Sequence, residues 1–223
     1  MRPEYEERPV RVRAGTALLE GDLVVPAGAD GIVVFAHGSG SSRRSPRNRQ
    51  VARSLNRGGL ATLLIDLLTS AEEIADRQGA QLRFDIALLA ERLQAATRWA
   101  ARGDATGHLR LGYFGASTGA AAALIAAADR PTLVHAVVSR GGRPDLAEEA
   151  LEDVQAPTLL VVGSADEPVV ELNRRALERL RCEKRLVIVP GATHLFEEPG
   201  ALDQVAWHAR EWLGFHLGGK PSA

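Results

Sequence analysis

The sequence predicts an α/β fold: a mostly parallel central sheet with helices on both faces. Three observations carry this. Short apolar runs of strand length alternate with helical segments along most of the chain, and such alternation buries a parallel sheet between helices. Small and polar residues cluster after the runs, in the loops where such sheets place their ligands. The 223 residues suffice for one domain with a full core. No linker or internal repeat divides the chain, so residues 1–223 read as a single domain.

The elements follow in order. Residues 10–13 and 18–25 resemble an antiparallel pair turned near Ala14-Gly15, and residues 26–31 form a turn. GIVVFAH, residues 31–37, is a buried strand. Residues 46–57 are helical and stop at Gly58-Gly59. LATLLID, residues 60–66, is the next strand. A polar loop and a long helix over about residues 81–102 follow, with Phe84, Leu88, Leu89, Leu93 and Ala96 recurring at three- and four-residue steps. Four more strands lie at residues 109–114, 134–139, 158–162 and 186–189. Helices at 118–128, 145–151 and 169–180 separate them; the first, TGAAAALIAAA, is rich in alanine, the best helix former. An amphipathic helix over 201–217 closes the series.

Bulk properties exclude several classes. Apolar content is 45% and charged content 25%, as in ordinary globular domains. A net charge of -1 offers no attraction to nucleic acid or an anionic membrane. No apolar run approaches the roughly 20 residues of a membrane span. The N-terminal stretch MRPEYEERPV is charged and unlike a secretory leader. Cys182 is the only cysteine, so neither an internal disulfide nor a cysteine-rich metal site is possible. A reducing cytoplasm is the expected location, and a monomer or homodimer the expected state.

Four loops at strand ends carry chemistry: His37-Gly38-Ser39-Gly40-Ser41-Ser42, Gly115-Ala116-Ser117-Thr118-Gly119, Gly163-Ser164-Ala165-Asp166 and Pro190-Gly191-Ala192-Thr193-His194. They supply a serine, an acid and a histidine in the chain order of α/β-hydrolases. A serine hydroxyl needs a base to take its proton, and neutral imidazole can do so near pH 7. A carboxylate on the other ring nitrogen holds the tautomer. Ser117 is thus the candidate nucleophile, Asp166 the acid and His194 the base. The helix that starts at Thr118 presents unpaired amides, so the amide of Thr118, with that of Ser39, can form an oxyanion hole. Simpler roles exist for each: a tight turn for Ser117, a helix N-cap for Asp166, a surface loop for His194. His37 is read as shaping its loop, and His135 as a hydrogen-bonded core histidine.

The stretches FAHGSGSSR, GYFGASTGAAAAL, LLVVGSADEPV and VPGATHLFEEPGAL together resemble the α/β-hydrolase superfamily, in its small, cap-less, dienelactone-hydrolase-like branch. They are especially similar to hydrolase domains sometimes fused to phosphoribosyltransferases. The resemblance covers nearly the whole chain and implies a serine hydrolase without metal or organic cofactor, acting on a small ester, thioester or lactone. It carries the nucleophile to Ser117, the acid to Asp166, the base to His194 and the oxyanion donors to Ser39 and Thr118. Dienelactone hydrolases proper use a cysteine where this elbow has Ser117. A catalytically idle small-molecule-binding protein, an acyltransferase and a perhydrolase share the same residue pattern.

The segment between Ser139 and Thr158 is too short for a large cap. An open site for small acyl compounds is therefore expected, with Phe196 and Leu67-Leu68 as pocket walls. Arg43 and Arg140 lie at strand-end loops, where guanidinium groups can hold a substrate carboxylate or phosphate, or more simply stand as solvated charges or form salt bridges to those loops.

Overall fold

The computed structural model describes residues 5–218. Its centre is one eight-stranded sheet in the order β1-β2-β4-β3-β5-β6-β7-β8. The strands are β1 (Arg8–Ala14), β2 (Ala17–Val24), β3 (Gly31–Ala36), β4 (Leu60–Ile65), β5 (Arg110–Ala116), β6 (Val134–Arg140), β7 (Thr158–Gly163) and β8 (Lys184–Val189). β1 and β2 pair antiparallel, and β2 runs antiparallel to β4. All remaining pairs are parallel. β3, β4 and β7 are buried along their whole length, as apolar runs covered on both faces must be.

Seven α-helices accompany the sheet among the described residues: α1 (Pro46–Arg57), α2 (Ser70–Ala75), α3 (Ile86–Ala100), α4 (Thr118–Asp129), α5 (Ala150–Asp153), α6 (Glu167–Arg179) and α7 (Ala201–Leu217). α1 and α7 cover one face, where Val51, Leu55, Val205 and Leu213 meet Val33, Phe35 and Phe114. α3 and α4 lie on the other, where Leu93, Ala96, Ala121 and Leu124 meet Ile32, Val34 and Tyr113. The alanines of α4 let it sit close to both the sheet and α3.

Three helices depart from expectation. The long helix starts at Ile86, not near residue 81, because Gln81 is left-handed at φ 53° and Asp85 caps the helix by accepting from the amide of Leu88 at 2.9 Å. Phe84 falls in the preceding 3₁₀ turn and is exposed instead of joining the apolar face. The helix expected over 145–151 is a 3₁₀ turn, Pro144–Ala147, and the four-residue α5, broken at Glu148 with φ 48°. The short α2 was read as loop, although Thr69 and Glu72 form a reciprocal capping box there.

The chain leaves β3 for β4 on one side and then returns to place β5 on the other. Loops after β3 and β5 therefore diverge, which opens a crevice at their carboxyl ends. Ala36 pairs with Gly115 in register, so the residues that follow, His37 to Ser39 and Ala116 to Thr118, flank that crevice.

Candidate active site

Ser117 stands between β5 and α4 at φ 50° and ψ −123°. A side chain other than glycine strains the backbone there. Three backbone hydrogen bonds hold it in place: its amide donates to the Arg140 carbonyl at 3.3 Å, and its carbonyl accepts from the amides of Ala120 and Arg143, both at 3.1 Å. Glycines fit the turn for steric reasons. A methyl group at Gly115 would lie 2.5 Å from the Cα of Ala120. At Gly119 it would collide with the Ala36 carbonyl oxygen and lie 2.5 Å from that of His37. At Gly38 it would come within 2.9 Å of the Ser117 Cβ.

The candidate acid and base come from the next loops along the sheet. His194 Nδ1 lies 2.7 Å from Asp166 Oδ2. The carboxylate is mostly buried and the imidazole more than a third exposed. Asp166 precedes α6, yet its side chain makes no capping bond there. Ser164 ties the two loops together: its amide donates to the Val189 carbonyl at 2.9 Å and its hydroxyl accepts from the Gly191 amide at 2.7 Å. Gly141, at φ 49°, brings the base loop against the end of β6; a methyl group there would lie 3.1 Å from the His194 carbonyl oxygen. β6 neighbours the strand that carries the serine.

The loop after β3 is built around His37. Its Nε2 accepts from the Leu67 amide at 3.0 Å, so the ring proton sits on Nδ1, which donates to the Gly38 carbonyl at 3.0 Å. Burial pushes the imidazole pKa down. Both nitrogens are engaged, so His37 shapes its loop. Ser39 lies beside the elbow, with its amide donating to Thr118 Oγ1 at 3.0 Å. The two expected oxyanion residues are thus brought together, and this amide turns to an oxyanion only by leaving the Thr118 hydroxyl. His135 is half-buried near the start of β6 and does not sit in the core.

The arginines part company. Arg43, expected to contact substrate, is enclosed by Asp66, Asp22 and Glu20. Its guanidinium fastens the β3 loop to β2 and to the end of β4, and that expectation is corrected. Arg143 is likewise held by Asp145. Arg140 is different. It is 7% exposed, and its Nε and Nη1 are sealed from solvent without a hydrogen-bond partner. Burial, with Arg47 nearby, pushes its pKa down to about 10. The guanidinium carbon lies 6.0 Å from the centre of the Phe196 ring. Phe196, expected as an open pocket wall, is 1% exposed and packs with the core under α7. Leu67 is also core, whereas Leu68 does face a cleft.

That cleft has a volume of about 580 Å³ and runs from Ser39 along the β3 loop toward α2. Leu68, Glu73, Arg77, Arg83 and Arg47 are on its wall; Ser117 and His194 are not. Arg47 and the role of Gly141 escaped the sequence reading. Arg47 looks like any solvated helix arginine, and the Gly141-Gly142 pair after a strand says nothing of the loop it will meet.

Residues 19–213 match the sequence profile of the Dienelactone hydrolase family. Over 217 residues the chain is 56% identical to a Mycobacterium tuberculosis protein that bears the name "Putative phosphoribosyl transferase". The match covers 97% of this chain and 48% of the relative, so the chain spans about half the length of the curated relatives it matches. A crystal structure of a dienelactone hydrolase from Anabaena variabilis is similar at 60% identity and TM-score 0.95, over 96% of this chain and all of that one. A Xanthomonas campestris serine hydrolase without a lid shares the fold, with TM-score 0.77 at 20% identity over 99% of each chain.

Two outcomes follow from this geometry. Ser117→Gly relieves the strained φ and raises stability by about 1 kcal/mol, whereas Gly119→Ala lowers it by about 1–3 kcal/mol, both read from urea midpoints. His37 has a folded pKa below the unfolded value of about 6.5. Its contribution is therefore complete above about pH 6.5 and is lost as pH falls below that value, where the unfolded chain takes up the proton first. Urea unfolding of the wild type against His37→Gln at pH 7.5 and pH 5.5 measures it; the gap between the two proteins narrows at the lower pH.

Proposed function

The chain belongs to the dienelactone hydrolase family, and from that premise we propose that it is a serine hydrolase of small esters, thioesters or lactones working through an acyl-enzyme. What supports this reading is a strained Ser117 at the end of β5 together with a His194 hydrogen-bonded to Asp166 at 2.7 Å. Backbone strain at one non-glycine residue in a tight strand-to-helix turn has a ready use in exposing a nucleophile.

The steps follow from the atoms. Ser117 Oγ bonds to the substrate carbonyl carbon while His194 Nε2 takes its proton. Asp166, on Nδ1, stabilises the imidazolium that forms. The oxyanion is met by the amides of Ser39 and Thr118; losing one such donor costs about 2.7–4 kcal/mol of barrier. The bond to the leaving group breaks as His194 returns the proton to it. Water then attacks the acyl-enzyme by the same route and frees the acid.

Substrate size is argued from the walls. Between β6 and β7 there is only a 3₁₀ turn and the four-residue α5, which is no cap. The cleft beside the loop is lined by Arg44, Arg47, Arg77, Arg83, Glu73 and Asp76, a poor surface for long acyl chains. Activity on p-nitrophenyl esters is expected to fall as the acyl chain lengthens beyond a few carbons; a steep rise with chain length contradicts this.

The decisive test is the intact mass after exposure to a fluorophosphonate. One adduct, mapped to the peptide containing Ser117, is expected on the wild type and absent from Ser117→Ala and His194→Ala. Asp166→Asn should lower kcat about 10,000-fold. A folded wild type that takes no adduct overturns the reading.

A further inference from the structure

Arg140 is a buried cation without an acid. Asp166 belongs to His194, and Asp145 belongs to Arg143. Among the described residues no acid forms a hydrogen bond or ion pair with the Arg140 guanidinium, and Arg47 near it is another cation. Buried charges are ordinarily paired, since leaving one unpaired costs several kcal/mol. Three guanidinium nitrogens here lack a partner: Arg140 Nε, Arg140 Nη1 and Arg47 Nε. Arg47 Nη1 is held by Glu197 at 3.0 Å, a mostly exposed carboxylate on the base loop.

The position joins these cations to the site. The Arg140 carbonyl accepts from the Ser117 amide, and its guanidinium lies by Phe196, two residues past His194. Arg47 is the outer arginine, a third exposed, on the cleft wall that also holds Gly38 and Ser39. An anion that met both arginines would lie near the loops that carry Ser117, His194 and Ser39.

The chemistry of the missing partner follows from the donors. Planar forks on two guanidinium groups match an anion with several oxygens. A carboxylate offers two oxygens and one charge, enough for a single fork. A phosphate monoester offers three terminal oxygens and close to two charges, enough for both. We propose that Arg140 and Arg47 form a phosphate-binding subsite beside Ser117, and that the acyl substrate carries a phosphate group. The substrate half of this proposal rests on the serine hydrolase reading; the anion-binding half does not.

Inorganic phosphate is the first probe. Thermal unfolding at fixed pH and ionic strength, with chloride exchanged for phosphate, should show a saturable rise in Tm for the wild type. The rise should vanish in Arg140→Met and shrink in Arg47→Met, which alters a more exposed side chain and guards against misfolding of the first variant. Without phosphate, Arg140→Met should unfold no earlier than the wild type, because it removes an unpaired buried charge. An arginine kept for structure would give the opposite shift. The second probe compares kcat/KM for a phosphate-bearing ester, a carboxylate-bearing ester and a neutral ester of matched size. The wild type should prefer the phosphorylated ester to the neutral one, and either variant should lower that ratio about 10- to 100-fold.

Phosphate stabilisation that is equal in wild type and Arg140→Met overturns the subsite. Stabilisation that depends on Arg140 but brings no preference for the phosphorylated ester means a free anion occupies the site, and overturns the substrate half. Equal preference for the carboxylate-bearing ester overturns the commitment to phosphate. If no ester is turned over while phosphate binding still depends on Arg140, the hydrolase reading fails and the anion site stands.

Discussion

At Gly119 the first turn of α4 lies against the carbonyl oxygens of Ala36 and His37, and only hydrogen fits in the gap. Much of the site depends on this approach. It brings the elbow under the end of β3, so that the Ser39 amide reaches Thr118 Oγ1 across 79 residues of sequence. Gly38 repeats the constraint from the other side, with Ser117 Cβ where its own side chain would be. The parallel register of β3 and β5 supplies the coarse alignment. The glycines supply the last few ångströms, and an oxyanion hole has no tolerance for less.

The two arginines after strands or in their loops illustrate how a fold assigns charge. Arg43 is enclosed by three acids drawn from β2 and the end of β4, and its guanidinium pKa is raised accordingly. Arg140 meets no acid and an aromatic face. The first is a structural clamp that holds the glycine-bearing β3 loop to the sheet. The second is a source of uncompensated charge beside the serine. Cation–π contact with Phe196 at 6.0 Å offsets only a small part of its desolvation.

Legibility in the sequence followed the physics of each feature. All eight strands could be read, the buried parallel ones as continuous apolar runs. The serine, acid and histidine could be read from order and spacing at strand ends, and the structure brings Asp166 to His194. Where side-chain partners decide, reading stopped. Arg43 and Arg140 look alike in sequence, because the acids around Arg43 come from Glu20, Asp22 and Asp66, far from it along the chain. Phe196 looked like a pocket wall because it follows the base; its φ of 55° turns the ring inward to the core beneath α7. The start of α3 was misplaced because Phe84 continues the apolar period, while the local cap at Asp85 overrides it.

The absence of a cap has a consequence for how the charges act. His194 is more than a third exposed, whereas Asp166 behind it is mostly buried. The Asp166–His194 hydrogen bond is therefore sheltered on the Asp166 side. On the proposed reading, a bound substrate would exclude solvent by covering His194. A small neutral acyl group covers little. A substrate anchored between Arg140 and Arg47 would be held against the base loop at a second point, and binding energy from that remote group could be used to orient the carbonyl over Ser117. On the proposed mechanism, the same openness would let water reach the acyl-enzyme once the leaving group departs.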